Sequence, residues 1–393
     1  MSPSSSPGAF TVFQPGNPDE AAALLADRTR TGQPLAIVDR IPEPGELRRD
    51  LLSVRQWRNQ RFFHPADMVV GVDSGLPMAE LHRLLAEQGM RLPVGCWFAG
   101  DSVGAVAAAN RFGPERLMRG GLRDSLIGME YLTPTGECVR VGGKVVKNVT
   151  GYDLGRMMLG NRGGLCLMTG LNFKVMPAPV QPHGLFLSAP DSSWRAGVAA
   201  AHAARLPLDW LQAVWRDGGW LVGIGISGNA ARRGRLVTEL RSMFGQPLTL
   251  FADGREEAPF DVFAPEHRLC GFLSPHIPLD RLSLHVHGLF PTRTFLESVD
   301  LDGLAAPGDI LVVHPIGGDF HLLAPSDSAA ERQVSQLRDR FSEERGSLVF
   351  ERVPTALRER WGRVDPLPPE RILMNRLKRQ LDPAGILVSS FFD

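Results

Sequence analysis

A short run of small residues at positions 100–105 has the composition of a phosphate-binding turn. Its sequence is Gly-Asp-Ser-Val-Gly-Ala, and the apolar segment 106–110 follows it. A turn of this kind at the start of a helix can direct backbone N–H groups and the positive end of the helix dipole at a phosphate. Small residues at a helix start also occur where two elements simply pack closely, so both interpretations stay open for this run alone.

More segments that could shape a ligand site follow in the same half of the chain. Gly113-Pro114 predicts a rigid turn, and Arg123-Asp124 places two opposite charges before a predicted strand. Residues 147–154, with the sequence KNVTGYDL, predict the start of a helix. Residues 163–169 begin with two glycines and lead into another predicted strand. Because a glycine-led strand exposes bare backbone, a flat ligand can lie against it.

The second half contains two histidines that flank a predicted turn. His314 and His321 are seven positions apart, on either side of Gly317-Gly318. A hairpin could bring both rings to one side, where imidazole suits a divalent metal or a substrate carboxylate. The sequence shows no third ligand, so we predict no metal site. A substrate-facing His314 and two packed hairpin histidines remain the alternatives. His285 and His287 are interpreted as ordinary strand residues, and His314 is the one catalytic candidate, with no general base named.

Hydrophobic periodicity and turn residues predict an α+β chain with two domains and a short disordered tail at 1–10. In the first domain, 11–178, Ser74 is expected to cap a helix, and Pro134-Thr135-Gly136 predicts a hairpin between 125–133 and 137–141. The Pro-rich stretch 177–179 predicts the boundary. The second domain, 179–393, ends with a C-terminal tail segment. It repeats a β-α-β-β-α-β order from about residue 282, which predicts two ferredoxin-like units on one antiparallel sheet.

Composition narrows the class of protein without naming it. The 393 residues include 43 basic and 43 acidic side chains, so the formal net charge is zero. The chain therefore lacks the excess of positive charge that is typical of nucleic-acid-binding proteins. No apolar run reaches the roughly 18–20 residues of a membrane span, and the start lacks the pattern of a secretory signal. The four cysteines are far apart, which argues against a zinc ribbon or a self-contained iron–sulfur cluster. We therefore expect a cytoplasmic protein.

The segments of the first half, taken together, resemble the FAD-binding domain of the vanillyl-alcohol oxidase/p-cresol methylhydroxylase (PCMH) family. Within that family they are most similar to the E subunits of bacterial glycolate oxidases. The resemblance continues at 351–354 and 377–386 and covers the chain from about residue 35 onward. The residues that carry it in the first half are Gly113-Pro114, Arg123-Asp124, Gly128, 146–148, 151–154, Gly160, Gly163, Leu165 and Thr169.

The resemblance implies a flavoprotein with FAD cradled between two small subdomains of a PCMH-type domain. It implies pyrophosphate contacts at 100–104, adenine-side contacts at 163–168, and walls near the flavin at 123–124 and 147–153. The resulting candidate cofactor-binding residues are Gly100, Asp101, Ser102, Val103, Gly104, Gly113, Pro114, Arg123, Asp124, Lys147, Asn148, Gly151, Tyr152, Asp153, Gly163, Leu165 and Met168.

The resemblance also implies an activity and partners. The expected protein is an oxidoreductase subunit whose flavin accepts hydride from a small 2-hydroxy acid and passes electrons on. The implied partners are a D-type flavin subunit and an iron–sulfur subunit of a glycolate-oxidase-type complex. The second domain would be its cap, or substrate, domain. The expected location is cytoplasmic, or peripheral at the inner membrane through the complex.

Two departures from the family pattern keep a second hypothesis open. The family has consecutive glycines after its first strand, whereas residues 39–46 here are Asp-Arg-Ile-Pro-Glu-Pro-Gly-Glu. Asp101 also places a carboxylate in the expected pyrophosphate loop, where repulsion at about 4 Å costs about 1 kcal/mol in water and more when buried. The alternative is therefore a non-catalytic scaffold subunit of such a complex that has lost or weakened FAD binding.

Overall fold

The chain folds into two compact units in the computed structural model. Unit 1 comprises Met1–Phe112, Gly121–Ala178 and Pro368–Asp393, and unit 2 comprises Gly113–Gly120 and Pro179–Leu367. The structure describes residues 10–39, 49–94, 100–145, 153–178, 183–216, 218–245, 248–252, 284–289, 303–304, 308–324, 334–335, 337–338, 347–352, 364–365 and 368–389. Among these residues, no helix is both long and apolar enough to cross a membrane.

Both units contain helices and strands. The strands are β1 (Val12–Phe13), β2 (Leu35–Ile37), β3 (Asp50–Leu52), β4 (Gln60–His64), β5 (Val69–Asp73), β6 (Met90–Arg91), β7 (Leu126–Leu132), β8 (Cys138–Gly142), β9 (Leu167–Lys174), β10 (Met176–Pro177), β11 (His183–Ala189), β12 (Trp210–Arg216), β13 (Gly219–Ile226), β14 (Thr249–Ala252), β15 (Leu284–Leu289), β16 (Ile310–His314), β17 (Asp319–Ala324), β18 (Ser347–Arg352) and β19 (Val364–Asp365). The helices are α1 (Pro18–Thr31), α2 (Met78–Ala86), α3 (Val103–Ala109), α4 (Arg116–Arg119), α5 (Leu122–Ser125), α6 (Leu154–Met158), α7 (Arg195–Ala203), α8 (Ala230–Phe244) and α9 (Pro368–Leu381).

Unit 1 contains two main sheets. The first is parallel, in the order β1-β3-β2, and packs its apolar side chains with those of α1. The second is antiparallel, in the order β4-β5-β9-β7-β8, and buries Val70, Val72 and Leu171 against residues of α2 and α3. The predicted hairpin is present as β7 and β8, with Gly136 at φ +83° in its turn.

The C-terminal segment belongs to unit 1, which corrects the prediction that 179–393 forms one domain. The Leu35 N–H donates to the Ile386 carbonyl at 2.8 Å, and the Val388 N–H donates to the Leu35 carbonyl at 2.9 Å. These bonds set the segment beside β2. Ile386 and Leu387 are almost fully buried in the core below the first sheet. Burying two large aliphatic side chains, at about 1.5–3 kcal/mol each, explains why the segment returns.

Unit 2 is built on one antiparallel sheet in the order β14-β11-β13-β12-β16-β17-β15-β18-β19. Its first half follows the predicted β-α-β-β-α-β order, with α7 and α8 packed in the same core as the sheet. β12 and β16 join the two halves, with Ala213 opposite Val313. The predicted helices near residue 295 and at 329–341 fall largely outside the described residues. The second ferredoxin-like unit therefore stays a prediction.

Candidate functional site

A cavity of about 190 Å³ lies within unit 1. Its walls come from five places in the sequence: the end of β2 with the residues after it, the residues after β3, the turn after β5, helix α3 with its cap, and the segment leading into β9. These walls contain Ile37–Asp39, Val54-Arg55, Ser74-Gly75, Ser102–Ala109 in part, and Asn161–Gly163 with Cys166–Met168. The site therefore combines residues that the sequence predicted at 100–104 and 163–168 with residues that it did not.

Small residues create the space and hold its walls close together. Gly75, Gly104 and the alanines of α3 line the cavity. A Cβ on Gly104 would lie 2.9 Å from both Cβ and the carbonyl oxygen of Ser74, and no ordinary Cβ contact is that short. The glycine therefore lets the start of α3 lie directly against the turn after β5.

The backbone N–H groups at the start of α3 are already used within the protein. The Val103 N–H donates to the Leu76 carbonyl at 2.8 Å, and the Gly104 N–H donates to the Ser74 carbonyl at 2.6 Å. The Ala105 N–H donates to Ser102 Oγ, which caps the helix. The expectation that these donors point at a phosphate is corrected, because the close packing that the sequence left as the alternative has engaged them.

Ser74 presents an unsatisfied hydroxyl to this cavity. Its side chain is buried, and Oγ makes no hydrogen bond with any described residue. A buried hydroxyl without a hydrogen-bond partner costs about 1–3 kcal/mol of folding free energy. A polar ligand atom that bonds to it would therefore remove this cost. The sequence suggested Ser74 as a helix cap, but α2 begins at Met78 and has no side-chain cap.

The charges around the cavity are mostly compensated. Arg55 and Arg162 line it with positive charge, and the Asp39 carboxylate is 2.8 Å from Arg55 Nη1. Asp101 is buried but does not line the cavity; its carboxylate pairs with Arg111 at 2.6 Å. The repulsion expected between Asp101 and a pyrophosphate is therefore offset by the guanidinium of Arg111.

The segment 160–166 is tied to the far end of α3. The Gly160 N–H donates to the Ala107 carbonyl at 3.0 Å, and the Arg162 N–H donates to the Ala108 carbonyl at 2.9 Å. Asn161 Oδ1 accepts from the Gly163 N–H, where φ is +75°. These bonds fix the wall that carries Cys166, whose thiol pKa is raised by burial, so it stays protonated.

Several predicted cofactor residues take other positions. Gly113 and Pro114 belong to unit 2. Asp124 accepts from the Gly121 N–H at the start of α5, and the Arg123 carbonyl accepts from Arg156 Nε. Asp153 caps α6. Leu165 and Val103 are core residues, and Gly100 does not line the cavity. Lys147, Asn148, Gly151 and Tyr152 lie outside the described residues.

A second cluster of residues that could bind a ligand or take part in catalysis lies on three neighbouring strands of unit 2. In the register of the sheet His287 lies opposite His321, and His314 lies opposite Asp319. The rings of His287 and His321 are stacked, with centroids 4.3 Å apart, and His314 Nδ1 is 2.5 Å from Asp319 Oδ2.

Three of these groups have the composition of a metal site. One ligand atom each from His287, Asp319 and His321 lie within 4.8 Å of one another. The sequence prediction of no metal site rested on the lack of a third ligand, and that reason is wrong. His287 lies on strand β15, and strand pairing places it opposite His321 of the hairpin.

Comparison with known proteins gives a family match over about a third of the chain. Residues 11–142 match the profile of the family described as FAD binding domain. This match confirms the resemblance found in the sequence and names FAD as the cofactor of the domain. The match ends before the predicted segment 147–154 and the cavity wall at 161–168.

Curated relatives agree with this assignment. The glycolate oxidase subunit GlcE of Escherichia coli K12 is 35% identical over 130 residues, which are 33% of this chain and 37% of that protein. The D-2-hydroxyglutarate dehydrogenase of Xanthomonas citri pv. viticola is 26% identical over 214 residues, which are 52% of this chain and 44% of that protein. Each alignment thus covers less than half of the relative.

The fold of the chain is also known from a solved structure. A structure of alkyldihydroxyacetonephosphate synthase aligns with a TM-score of 0.64 at 14% identity, over 96% of this chain and 75% of that one. At this identity the likeness shows the fold alone.

Proposed function

We propose that this chain, which carries an FAD binding domain at residues 11–142, is the flavin-binding subunit of an oxidoreductase complex acting on a small 2-hydroxy acid. The observation that carries the proposal is the cavity of unit 1, with its buried hydroxyl and its cationic side chains. The similarity to a glycolate oxidase subunit and to a 2-hydroxy-acid dehydrogenase supports the substrate class.

The residues around the cavity fit an FAD. Ser74 Oγ gains the hydrogen-bond partner it lacks. Arg162 brings positive charge to the wall for the pyrophosphate, while the charge of Arg55 is shared with the Asp39 carboxylate. The small residues of α3 and Gly75 admit a ligand close to the backbone. Bound FAD supplies acceptance of a hydride and onward transfer of electrons, and the protein supplies binding and orientation. Lys147 to Asp153 remain candidates for the flavin side of the site.

The test of the proposal is a flavin-to-protein ratio measured on the purified full chain after reconstitution with FAD. We expect about one flavin per chain, released on heating. The variant Ser74→Ala should raise the unfolding temperature of the apoprotein, because it removes an unsatisfied hydroxyl. The same variant should weaken FAD binding about three- to tenfold, the value of one hydrogen bond.

The control for this variant is Ser125→Ala, a buried serine of unit 1 that does not line the cavity. It should leave FAD affinity unchanged. A colourless protein that cannot be reconstituted would contradict the proposal and favour the scaffold alternative. The engaged N–H groups at the start of α3 are the observation that favours that alternative.

The proposed partners follow from the same similarity. The chain would assemble with a D-type flavin subunit and an iron–sulfur subunit and would pass electrons within that complex. Unit 2 would be its cap domain. The proposed location is cytoplasmic, with attachment to the inner membrane only through the partners.

We also propose a divalent cation at the cluster of His287, Asp319 and His321. Two imidazoles and a carboxylate are ligands that Zn²⁺ accepts, and bonds of about 2.1 Å place tetrahedral ligand atoms about 3.4 Å apart. The observed limit of 4.8 Å therefore requires a closure of about 1.4 Å, within reach of side-chain rotation. Asp319 Oδ1, which makes no hydrogen bond with a described residue, is the oxygen that remains for the ion.

Calorimetric titration of the chelator-treated full chain with Zn²⁺ and with Mn²⁺ tests the cation site. We expect one equivalent to bind, and His321→Ala to weaken binding at least tenfold because one of three protein ligands is lost. His202→Ala, an exposed histidine of α7, is the matched control and should bind like the parent. Equal binding by parent and His321→Ala would show that any ion lies elsewhere.

A further inference from the structure

A lysine in the last helix joins three separate segments of unit 1. The Lys378 Nζ donates to the Gly164 carbonyl at 2.8 Å, to Asp382 Oδ2 at 2.5 Å and to the Leu387 carbonyl at 2.6 Å. An ammonium group has three donors, so all of them are used. The side chain is only 13% exposed, so these bonds are made largely away from water.

Asp382 completes this arrangement from the other side. Its Oδ1 accepts from the Ile386 N–H and its Oδ2 from the Leu387 N–H. The chain reverses at Gly385, where φ is +66°, and then runs beside β2. The carboxylate therefore holds the turn that sends the segment 386–388 to Leu35. We call α9 together with the segment 382–388 the C-terminal clasp.

The two anchor points of the clasp adjoin two walls of the cavity. Gly164 directly follows Gly163, which lines the cavity, and Leu35 lies two residues before Ile37, which also lines it. The two walls approach each other closely, because a Cβ on Gly163 would lie 3.1 Å from Cβ of Ile37. The clasp thus bonds to residues that adjoin both walls, near the place where the walls meet, while none of its own residues lines the cavity.

We propose that Lys378 is a positioning residue, and that docking of the C-terminal clasp is energetically coupled to FAD binding in the cavity. This inference rests on the proposed function. A docked clasp fixes the walls at 37–39 and 161–163 before the ligand arrives, so less ordering remains for binding to accomplish. Because coupling between two sites is reciprocal, bound FAD must in turn stabilise the docked clasp.

A suitable variant removes the hydrogen bonds of Lys378 without leaving a buried charge unpaired. Lys378→Met alone would leave the Asp382 carboxylate buried without its partner, and loss of folding would then obscure the result. The double variant Lys378→Met/Asp382→Asn removes both charges together and keeps one amide oxygen as an acceptor in the turn. It loses the three bonds of Nζ. One of the two turn N–H groups, that of Ile386 or Leu387, also loses its acceptor, because the amide nitrogen of asparagine is a donor. Arg379→Gln, on the exposed side of the same helix, is the matched control.

Hydrogen–deuterium exchange on the full chain, with and without FAD, tests the coupling together with an FAD titration. In the parent we expect FAD to slow exchange at the amides of Leu35, Ile386, Leu387 and Val388, although the clasp does not line the cavity. In the double variant we expect FAD affinity to fall about tenfold or more, and the FAD-induced protection of the clasp to disappear. Exchange within unit 2 should stay unchanged in both.

The outcomes separate this inference from the proposed function. If FAD binds the parent and the double variant equally well, and protects the walls but not the clasp, the coupling is overturned while the flavin site stands. If the parent itself binds no FAD, the proposed function fails, and the coupling fails with it; that result is seen before any variant is made. A purely structural role for Lys378 would lower stability but would not produce ligand-dependent protection of the clasp.

Discussion

Replacing Gly75 with alanine is expected to destabilise unit 1 by about 3 kcal/mol and to abolish flavin binding. A Cβ at this position would lie 2.3 Å from the carbonyl oxygen of Val54 and 2.6 Å from that of Trp57. Both neighbours are backbone atoms, so no rotation of a side chain can relieve the contact. Overpacking costs about 1–3 kcal/mol, and a clash with backbone belongs at the upper end of that range. The turn that carries Ser74 would have to move.

The measurement is denaturant unfolding, combined with exchange protection of unit 1, for Gly75→Ala and for the control Gly121→Ala. Gly121 lies in the same unit, and an added Cβ there has no atom within 4 Å. Its alanine variant should unfold with the parent. Parent-like stability and flavin content in Gly75→Ala would show that the turn after β5 is not the fixed wall described above.

Replacing Arg111 with methionine is expected to cost about 3–5 kcal/mol, the penalty for removing one partner of a buried ion pair. Asp101 and Arg111 have side chains that are only 6% and 15% exposed, and their charged atoms are 2.6 Å apart. The variant leaves the Asp101 carboxylate next to Ser102, which lines the cavity, so FAD affinity should fall as well. The double variant Arg111→Met/Asp101→Asn should recover most of both losses.

Unfolding midpoints and FAD titrations of the single and double variants give the coupling between the two residues. Arg83→Met is the control, because its partner Glu87 is exposed and such pairs contribute about 0–1 kcal/mol. If Arg111→Met behaves like Arg83→Met, the pair does not neutralise Asp101. The Asp101 carboxylate, which departs from the family pattern, would then repel a bound pyrophosphate, as expected from the sequence.

Local patterns in the sequence predicted the parts of the molecule that are formed by neighbouring residues. The hairpin of β7 and β8 follows from two alternating runs around Pro134-Thr135-Gly136, and the structure contains it. The run 100–104 correctly indicated a tight helix start, and the structure places part of it on the wall of the cavity. It could not show that the N–H groups of this run are engaged, because two of their acceptors, Ser74 and Leu76, lie far away in the sequence.

The parts that the sequence did not predict depend on contacts between distant residues. Ser74 and Gly75 follow a predicted strand, and the glycine was the available signal, but only the approach of Val54 and Trp57 makes it necessary. His287 reaches His321 through strand register alone. The C-terminal segment was assigned to the second domain because it follows that domain in the sequence. Burial of Ile386 and Leu387 in the core of unit 1 places the segment in unit 1 instead.

The discontinuity of unit 1 has a consequence for the order in which the protein is made. A ribosome completes all of unit 2 before it reaches α9 and the clasp, since residues 368–389 follow unit 2 in the chain. Domains generally fold as units and in order of synthesis. Unit 2 can therefore fold on the nascent chain, whereas unit 1 must wait with Leu35 and Gly164 lacking their clasp partners. Insertion of a cofactor into unit 1 would accordingly be one of the last steps of its maturation.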